Sequence, residues 1–287
     1  NLEKAKEYMP KEVHNMLNAF EYWFGPYPFY EDGYKLIEVD NTGMEHQSAV
    51  SYGNYYAGGY RGRDGSGTGL GLTWDFIIIH ESGHEWFGNN ITTNDLADMN
   101  VHESFTNYSE TLFIDYNYGP EAANEYNYGI RRGIGNKTPI IPAYGVNAQG
   151  SGDMYPKGGN MLHSIRHSIN NDQLFRNILA GLNQTFHNKT VDGSEVQDYI
   201  SRKADFDYSK VFEQYLTTTE IPTLELFVDA ENSQIKYRYV NCIEGFDLPL
   251  SLVGTHEELK IFPVANTWKA VDITMKNQYL LTPDRIE

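Results

Sequence analysis

The chain has 287 residues, with 22 Lys+Arg against 39 Asp+Glu and a formal net charge of −17. Hydrophobic residues make up 40% and aromatics 14%, enough apolar material for a packed core, which excludes a wholly disordered chain. The acidic balance argues against nucleic-acid binding through a basic face, and the length suggests about two domains. Cys242 is the single cysteine, so no intrachain disulfide forms, which leaves the compartment undecided.

Residues 1–24 carry Tyr8, Val13, Met16, Leu17 and Phe20 near helical spacing, and Gly25-Pro26 stops the pattern. The charged start does not read as a signal peptide, and the lack of an initiator Met suggests a piece of a longer protein. The longest apolar run, Phe76 to Ile79, is far short of a membrane span. Leu36–Val39 and Ser48–Tyr52 read as strands. Residues 58–71 are glycine-dense, but no strand, Walker lysine or complete G-x-G-x-x-G accompanies them, so a mobile surface loop is expected rather than a phosphate cradle. Helices are expected over about 73–88, 95–117 and 158–170, with further helical segments around 172–187 and 194–216. After Pro222 come five β-rich runs, Leu224–Val228, Ile235–Val240, Leu248–Val253, Leu259–Val264 and Val271–Met275. They predict a small antiparallel β-sandwich. The expected organisation is thus α+β, a mostly helical domain over 1–219 and a sandwich over 220–287.

The sharpest chemical signal is His80-Glu81-Ser82-Gly83-His84. Residues four apart share a helix face, so both imidazoles can reach one metal ion, with Glu81 beside it to take a proton from water. Two exposed histidines on a helix are the bland alternative. A catalytic zinc needs a third ligand and an open position. Glu103, 19 positions after His84 on the expected next helix, is the candidate.

H-E-x-x-H followed by 18 residues and Glu resembles the gluzincin aminopeptidases, the family of aminopeptidase N and the leukotriene-processing hydrolases. Other stretches carry the likeness further. Tyr22 to Pro28 is similar to the family's approach to its exopeptidase motif, and Thr42-Gly43-Met44-Glu45-His46 stands where G-x-M-E-N is usual. His84 to Asn89 resembles H-x-W-F-G-N, and Tyr155-Pro156-Lys157-Gly158 resembles Y-x-K-G. Departures are Thr42 and His46 in the exopeptidase motif, and His102 and Ser104 on either side of Glu103. None removes a ligand or an acid/base group.

The resemblance implies a thermolysin-like domain holding one Zn2+ on His80, His84 and Glu103. It also implies Glu81 as general base and acid, and Tyr155 as oxyanion partner. Gly43, Met44 and Glu45 would bind substrate, Glu45 holding the α-ammonium of a peptide with a free amino terminus and Met44 bordering the first side-chain pocket. Full-length relatives carry a β-rich domain before this region and often a helical one after it, so flanking domains of the same polypeptide are expected and weak activity without them. Competing readings are a thermolysin-type endopeptidase, an epoxide hydrolase using the same zinc site, and a non-catalytic scaffold. His163 and His167, also four apart, lack an acidic partner between them, and a second metal is the weaker reading. Asp98 and Asn107 are either orienting or surface groups, Arg166 reads as structural and Asp153 as a loop residue.

Overall fold

The computed structural model describes residues 2–255, 258–273, 279–280 and 284–285. Its first helix, α1 (Leu2–Phe24), buries Met16, Ala19, Phe20, Trp23 and Phe24 along one stripe, the i, i+3, i+4, i+7 spacing of a core-facing helix. Gly25 ends it at φ 86°, a left-handed residue that glycine adopts without strain. Three short strands follow: β1 (Leu36–Glu38), β2 (Gly43–Met44) and β3 (Val50–Tyr52). β3 lies between parallel β1 and antiparallel β2, so β2 has a free edge.

Helix α2 (Phe76–Gly83) is shorter than the expected 73–88. Asp75 caps it in an extended conformation, accepting a hydrogen bond from Ile78 N. The same buried carboxylate accepts from Tyr52 Oη at 2.7 Å, Asn54 Nδ2 at 2.9 Å and Tyr8 Oη at 3.1 Å. One aspartate therefore ties α1, β3 and the loop after it to the start of α2. Residues 58–71 are likewise held in place. Asn54 Nδ2 donates to the carbonyls of Ala57 and Gly59, and Asp64 accepts from Ser66 N and Gly69 N.

Helix α3 (Asn100–Tyr118), entered through a 3-10 turn at Leu96–Asp98, is buried on almost every side as far as Ile114. It packs on α1, α2, α4 (Pro120–Ile130) and α5 (Pro156–Ile169). Glycines permit these close approaches. A Cβ on Gly83 would stand 2.6 Å from Ser109 Oγ, and one on Gly158 would stand 1.9 Å from Ser104 Oγ. Strands β4 (Ile91–Thr93) and β5 (Lys189–Val191) pair in parallel, and α6 (Asp172–Thr185), α7 (Gly193–Ala204) and α8 (Ser209–Thr217) complete the helical part.

Six further strands follow: β6 (Thr223–Asp229), β7 (Gln234–Val240), β8 (Leu250–Gly254), β9 (Glu258–Ile261), β10 (Lys269–Asp272) and β11 (Tyr279–Leu280). They form two three-stranded antiparallel sheets, ordered β10-β7-β6 and β11-β8-β9. Ile235, Tyr237 and Tyr239 are buried while their neighbours in β7 are half-exposed, the period-two pattern of a sheet with one covered face. The end of the expected run Val271–Met275 lies outside the described residues. The fold is thus a mixture of helices and strands, with helices around α3 and two of its four sheets at the far end of the chain. No described helix is long and apolar enough to cross a membrane.

Candidate functional site

His80 projects from the last turn of α2, and His84 follows at its end. Glu103 rises from the first turn of α3, which packs against α2. Oε2 of Glu103 stands 3.7 Å from His80 Nε2 and 3.4 Å from His84 Nε2. Both imidazoles have committed their other nitrogen. His80 Nδ1 is 2.8 Å from Glu110 Oε1, and His84 Nδ1 is 3.0 Å from the Phe87 carbonyl and 3.2 Å from Thr106 Oγ1. A carboxylate and a carbonyl accept only, so in the neutral form of each ring, the form that binds a metal, these contacts assign the proton to Nδ1 and leave a lone pair on Nε2. Oε2 of Glu103 is consequently buried without a hydrogen-bond donor.

An acceptor buried without a donor is costly unless a cation completes it. The spacing suits one. Metal–ligand bonds of 2.0–2.2 Å at tetrahedral angles put ligand atoms about 3.3–3.5 Å apart. Residues that orient a metal-binding imidazole through its second nitrogen are the usual companions of such a centre. Among the described residues, His80, His84 and Glu103 form one of two groups able to hold a cation, and Glu45, Glu81 and His84 form the other. The two imidazoles beside Glu103 outweigh burial and hold its carboxyl well below the usual range. Burial disfavours the His80 cation, but Glu103 and Glu110 outweigh that and raise its pKa.

Glu81 lies on the same turn and is half-buried. A Cβ on Gly43 would stand 2.7 Å from Glu81 Oε1 and 2.8 Å from Ile77 Cγ2, so β2 packs directly against this carboxylate at Gly43. Burial raises the Glu81 pKa, the two histidines pull it back, and Glu45 and Glu103 add to the rise. The ligating atoms of Glu45, Glu81 and His84 lie within 4.8 Å of one another, and Asn89 Nδ2 holds the Glu45 carbonyl at 2.8 Å. Met44 is exposed on β2.

Tyr155 stands at the start of α5 with its ring 6.0 Å from that of His80. Burial raises its pKa, and the carboxylates of Glu103, Glu45 and Glu81 raise it further, so the phenol keeps its proton as a donor. Asp153, expected as a plain loop residue, is buried and accepts from Gly135 N at 2.7 Å and Asn136 N at 2.6 Å. It fixes the 3-10 turn, Gly152–Met154, that delivers Tyr155.

The remaining candidates separate cleanly. Asn107 donates to Glu110 Oε1 at 3.3 Å and so supports His80 at one remove. Asp98 accepts from Tyr144 Oη and Gly193 N, bracing the chain below α3. Arg166 pairs with Asp115 and Asp172 and lies over Trp23. His163 is buried and His167 half-buried beside it; His163 bonds Tyr108 Oη and the Asp284 carbonyl, and His167 Nε2 meets Asn124 Oδ1, so three of the four ring nitrogens are held by protein groups. Glu110 was missed by sequence reasoning, although its place seven residues after Glu103 sets both on one face of a helix.

The description Peptidase family M1 domain matches residues 13–215, well over half of the chain. Aminopeptidase N of Lactobacillus helveticus is 26% identical over 222 residues, covering 72% of this chain and 23% of that protein. The crystal structure of an M1 zinc metallopeptidase from Deinococcus radiodurans superposes with a TM-score of 0.57 at 20% identity, over 74% of this chain and 45% of that one. Legionella pneumophila aminopeptidase A, solved with aspartic acid, gives a TM-score of 0.62 at 16% identity, over 94% and 31%. The chain spans about a quarter of the length of the first of these relatives. With the family match over most of its helical part and the same fold in solved members, the chain belongs to peptidase family M1.

Proposed function

We propose that this chain is the catalytic part of a zinc metallo-aminopeptidase, which hydrolyses the first peptide bond of peptides with a free amino terminus. The observation that carries the reading is the donorless buried Oε2 of Glu103, set at ligand spacing from two Nε2 lone pairs. The proposed ligands of one Zn2+ are His80, His84 and Glu103, two nitrogens and one oxygen, a donor set that suits zinc with one position left open. When bound, the ion supplies Lewis-acid chemistry at that open position.

The protein groups around it have distinct tasks. Glu81, with a pKa raised by burial, takes a proton from the attacking water and returns it to the departing amine. The Tyr155 phenol donates a hydrogen bond to the oxygen that becomes negative as the carbonyl is attacked. Glu45 holds the α-ammonium of the substrate, a charge that an internal peptide bond does not present. Gly43 and Met44 line the approach along the β2 edge, with Met44 bordering the pocket for the first side chain. The same reading divides the chain into a thermolysin-like catalytic domain over 1–219 and a small β-sandwich over 220–287.

One peptide, offered with a free or an acetylated amino terminus, tests this by mass spectrometry with and without a zinc chelator. Stepwise shortening of the free form alone, stopped by chelator, is the expected result. Internal cuts in both forms would replace the reading with an endopeptidase.

A further inference from the structure

The segment that follows the metal-binding helix carries a buried acid with no part in the proposed chemistry. Glu85, next to the proposed ligand His84, is fully enclosed. Its Oε1 accepts from Ser48 N at 2.7 Å, and its Oε2 accepts from Tyr27 Oη at 3.3 Å. Tyr27 Oη also lies 3.3 Å from Ser48 Oγ, and both of these residues are buried. A carboxyl group taken out of water needs such partners. The shorter of the two bonds comes from the backbone of the stretch that begins at Glu45.

That stretch does not hold its shape unaided. His46 to Ala49 is a tight turn, with Ala49 N donating to the His46 carbonyl at 3.0 Å. Ser48 is its third residue and has φ 55°, a left-handed conformation that such turns usually give to glycine or asparagine. A side chain with a Cβ adopts it at a cost, so a turn with Ser48 in the ordinary region competes unless something selects this one. The bond from Ser48 N to Glu85 selects it. It is made at the strained residue itself, and in another turn the buried carboxyl group would lose its closest donor.

The turn is fastened at a second point. Asn89 Nδ2 donates to the Glu45 carbonyl at 2.8 Å, and Asn89 N donates to the His84 carbonyl at 2.9 Å. Glu85 and Asn89 thus grip the backbone of the proposed anchor at both ends, Ser48 and Glu45, from the short stretch 85–89 that follows a proposed metal ligand. The place of the ammonium site is therefore set from His84 and not by β2 alone.

We propose that Glu85 is a positioning residue for the ammonium anchor: by holding Ser48 in its left-handed turn, it fixes where Glu45 presents its carboxylate relative to the metal ligands. The inference rests on the aminopeptidase reading and deepens it, because it names what sets the register between the free amine and the bond to be cut. Substrate binding, rather than bond cleavage, should depend on Glu85, since the ammonium is held alike before and during reaction.

Leucinamide hydrolysis by the zinc-loaded chain, with metal content measured alongside, tests it. Glu85→Ala is expected to raise KM at least tenfold with kcat within threefold. Glu85→Gln should keep both within threefold, because its amide oxygen still accepts from Ser48 N while Tyr27 Oη accepts from the amide nitrogen. Adding Ser48→Gly to Glu85→Ala should restore KM by at least threefold, because glycine takes the left-handed turn without help. A general loosening of the fold would not respond to that glycine. Hydrogen exchange reads the turn without turnover: the Ser48 amide should exchange at least tenfold faster in Glu85→Ala and at the parent rate in Glu85→Gln. An unmoved KM, a fall in kcat alone, loss of zinc from Glu85→Ala, no recovery with glycine, or unchanged exchange at Ser48 would each overturn the positioning role. Leucinamide turnover by the unaltered protein with a KM indifferent to Glu85 removes that role alone; absence of turnover removes the aminopeptidase reading and the anchor with it.

Discussion

Nδ1 of His80 and Oε1 of Glu110 meet at 2.8 Å in the interior, and the other oxygen of Glu110 accepts from Tyr126 Oη at 2.6 Å. Two helical turns separate Glu110 from Glu103 on α3, so one helix presents a carboxylate to each side of the same imidazole. Removing Glu110 frees the ring to rotate and to place its proton on Nε2. Glu110→Ala should lower zinc affinity by about 10–100-fold, the usual cost of losing such a partner. Competition against a chelator of known affinity measures it, and an unchanged affinity would mean that packing alone orients His80.

Gly43 makes a prediction of a different kind. A methyl group there would meet Glu81 Oε1 at 2.7 Å and Cγ at 2.9 Å, closer than carbon atoms tolerate without movement. Gly43→Ala should therefore displace the carboxylate and reduce kcat by about 10²-fold, as misplacement of a reacting group by about 1 Å does. Zinc content should be retained, because none of the three proposed ligands is touched. Metal analysis alongside turnover separates this outcome from a loss of the metal centre.

How much of this site was readable beforehand follows from how local each feature is. His80, Glu81 and His84 share one helical turn, and Glu103 opens the next long helix, so spacing alone brings them to notice. The strand runs after Pro222 were readable for the same reason, since alternation such as Ile235, Tyr237, Tyr239 needs no partner to be seen. Asp75 was not readable. Its role as a hub depends on Tyr8, Tyr52 and Asn54, which lie 67, 23 and 21 positions before it, and its cap shortens the expected helix. Residues 58–71 looked like an unanchored loop because glycine content signals freedom, whereas Asn54 and Asp64 hold the turns through side-chain bonds. Asp153 was misjudged likewise, its partners Gly135 and Asn136 lying 18 and 17 positions before it.

Removing the proposed base and a proposed ligand should give opposite phenotypes. Glu81→Ala deletes a carboxylate that belongs to the proton-transfer step, so turnover should fall below detection while zinc remains near one per chain. Glu103→Ala deletes the donorless oxygen between the two histidines, so the metal itself should be lost on dialysis. Elemental analysis of both variants decides the assignment, and loss of zinc from the Glu81 variant would contradict it.

The neighbouring pair His163, buried, and His167, half-buried, makes the stability of the fold depend on pH. Burial first, then His167, Arg166 and Arg131, hold the His163 pKa well below its ordinary value. Burial, Arg166 and Arg285 push His167 down to about 3. A group whose folded pKa is depressed is neutral in the folded protein and charges first in the unfolded chain. As pH falls through about 6.5, the unfolded state takes up protons that the folded state refuses, and stability declines toward the folded pKa. The slope reaches about 1.4 kcal/mol per pH unit for each imidazole. His80 contributes with the opposite sign because its pKa is raised, so the comparison must cancel it. Urea unfolding at pH 7 and pH 5, for the parent and for His167→Gln, does so. The parent should lose about 2 kcal/mol more than the variant between these values. An equal loss in both would mean that His167 carries a proton inside the folded protein, against its burial and the two cations, Arg166 and Arg285, beside it.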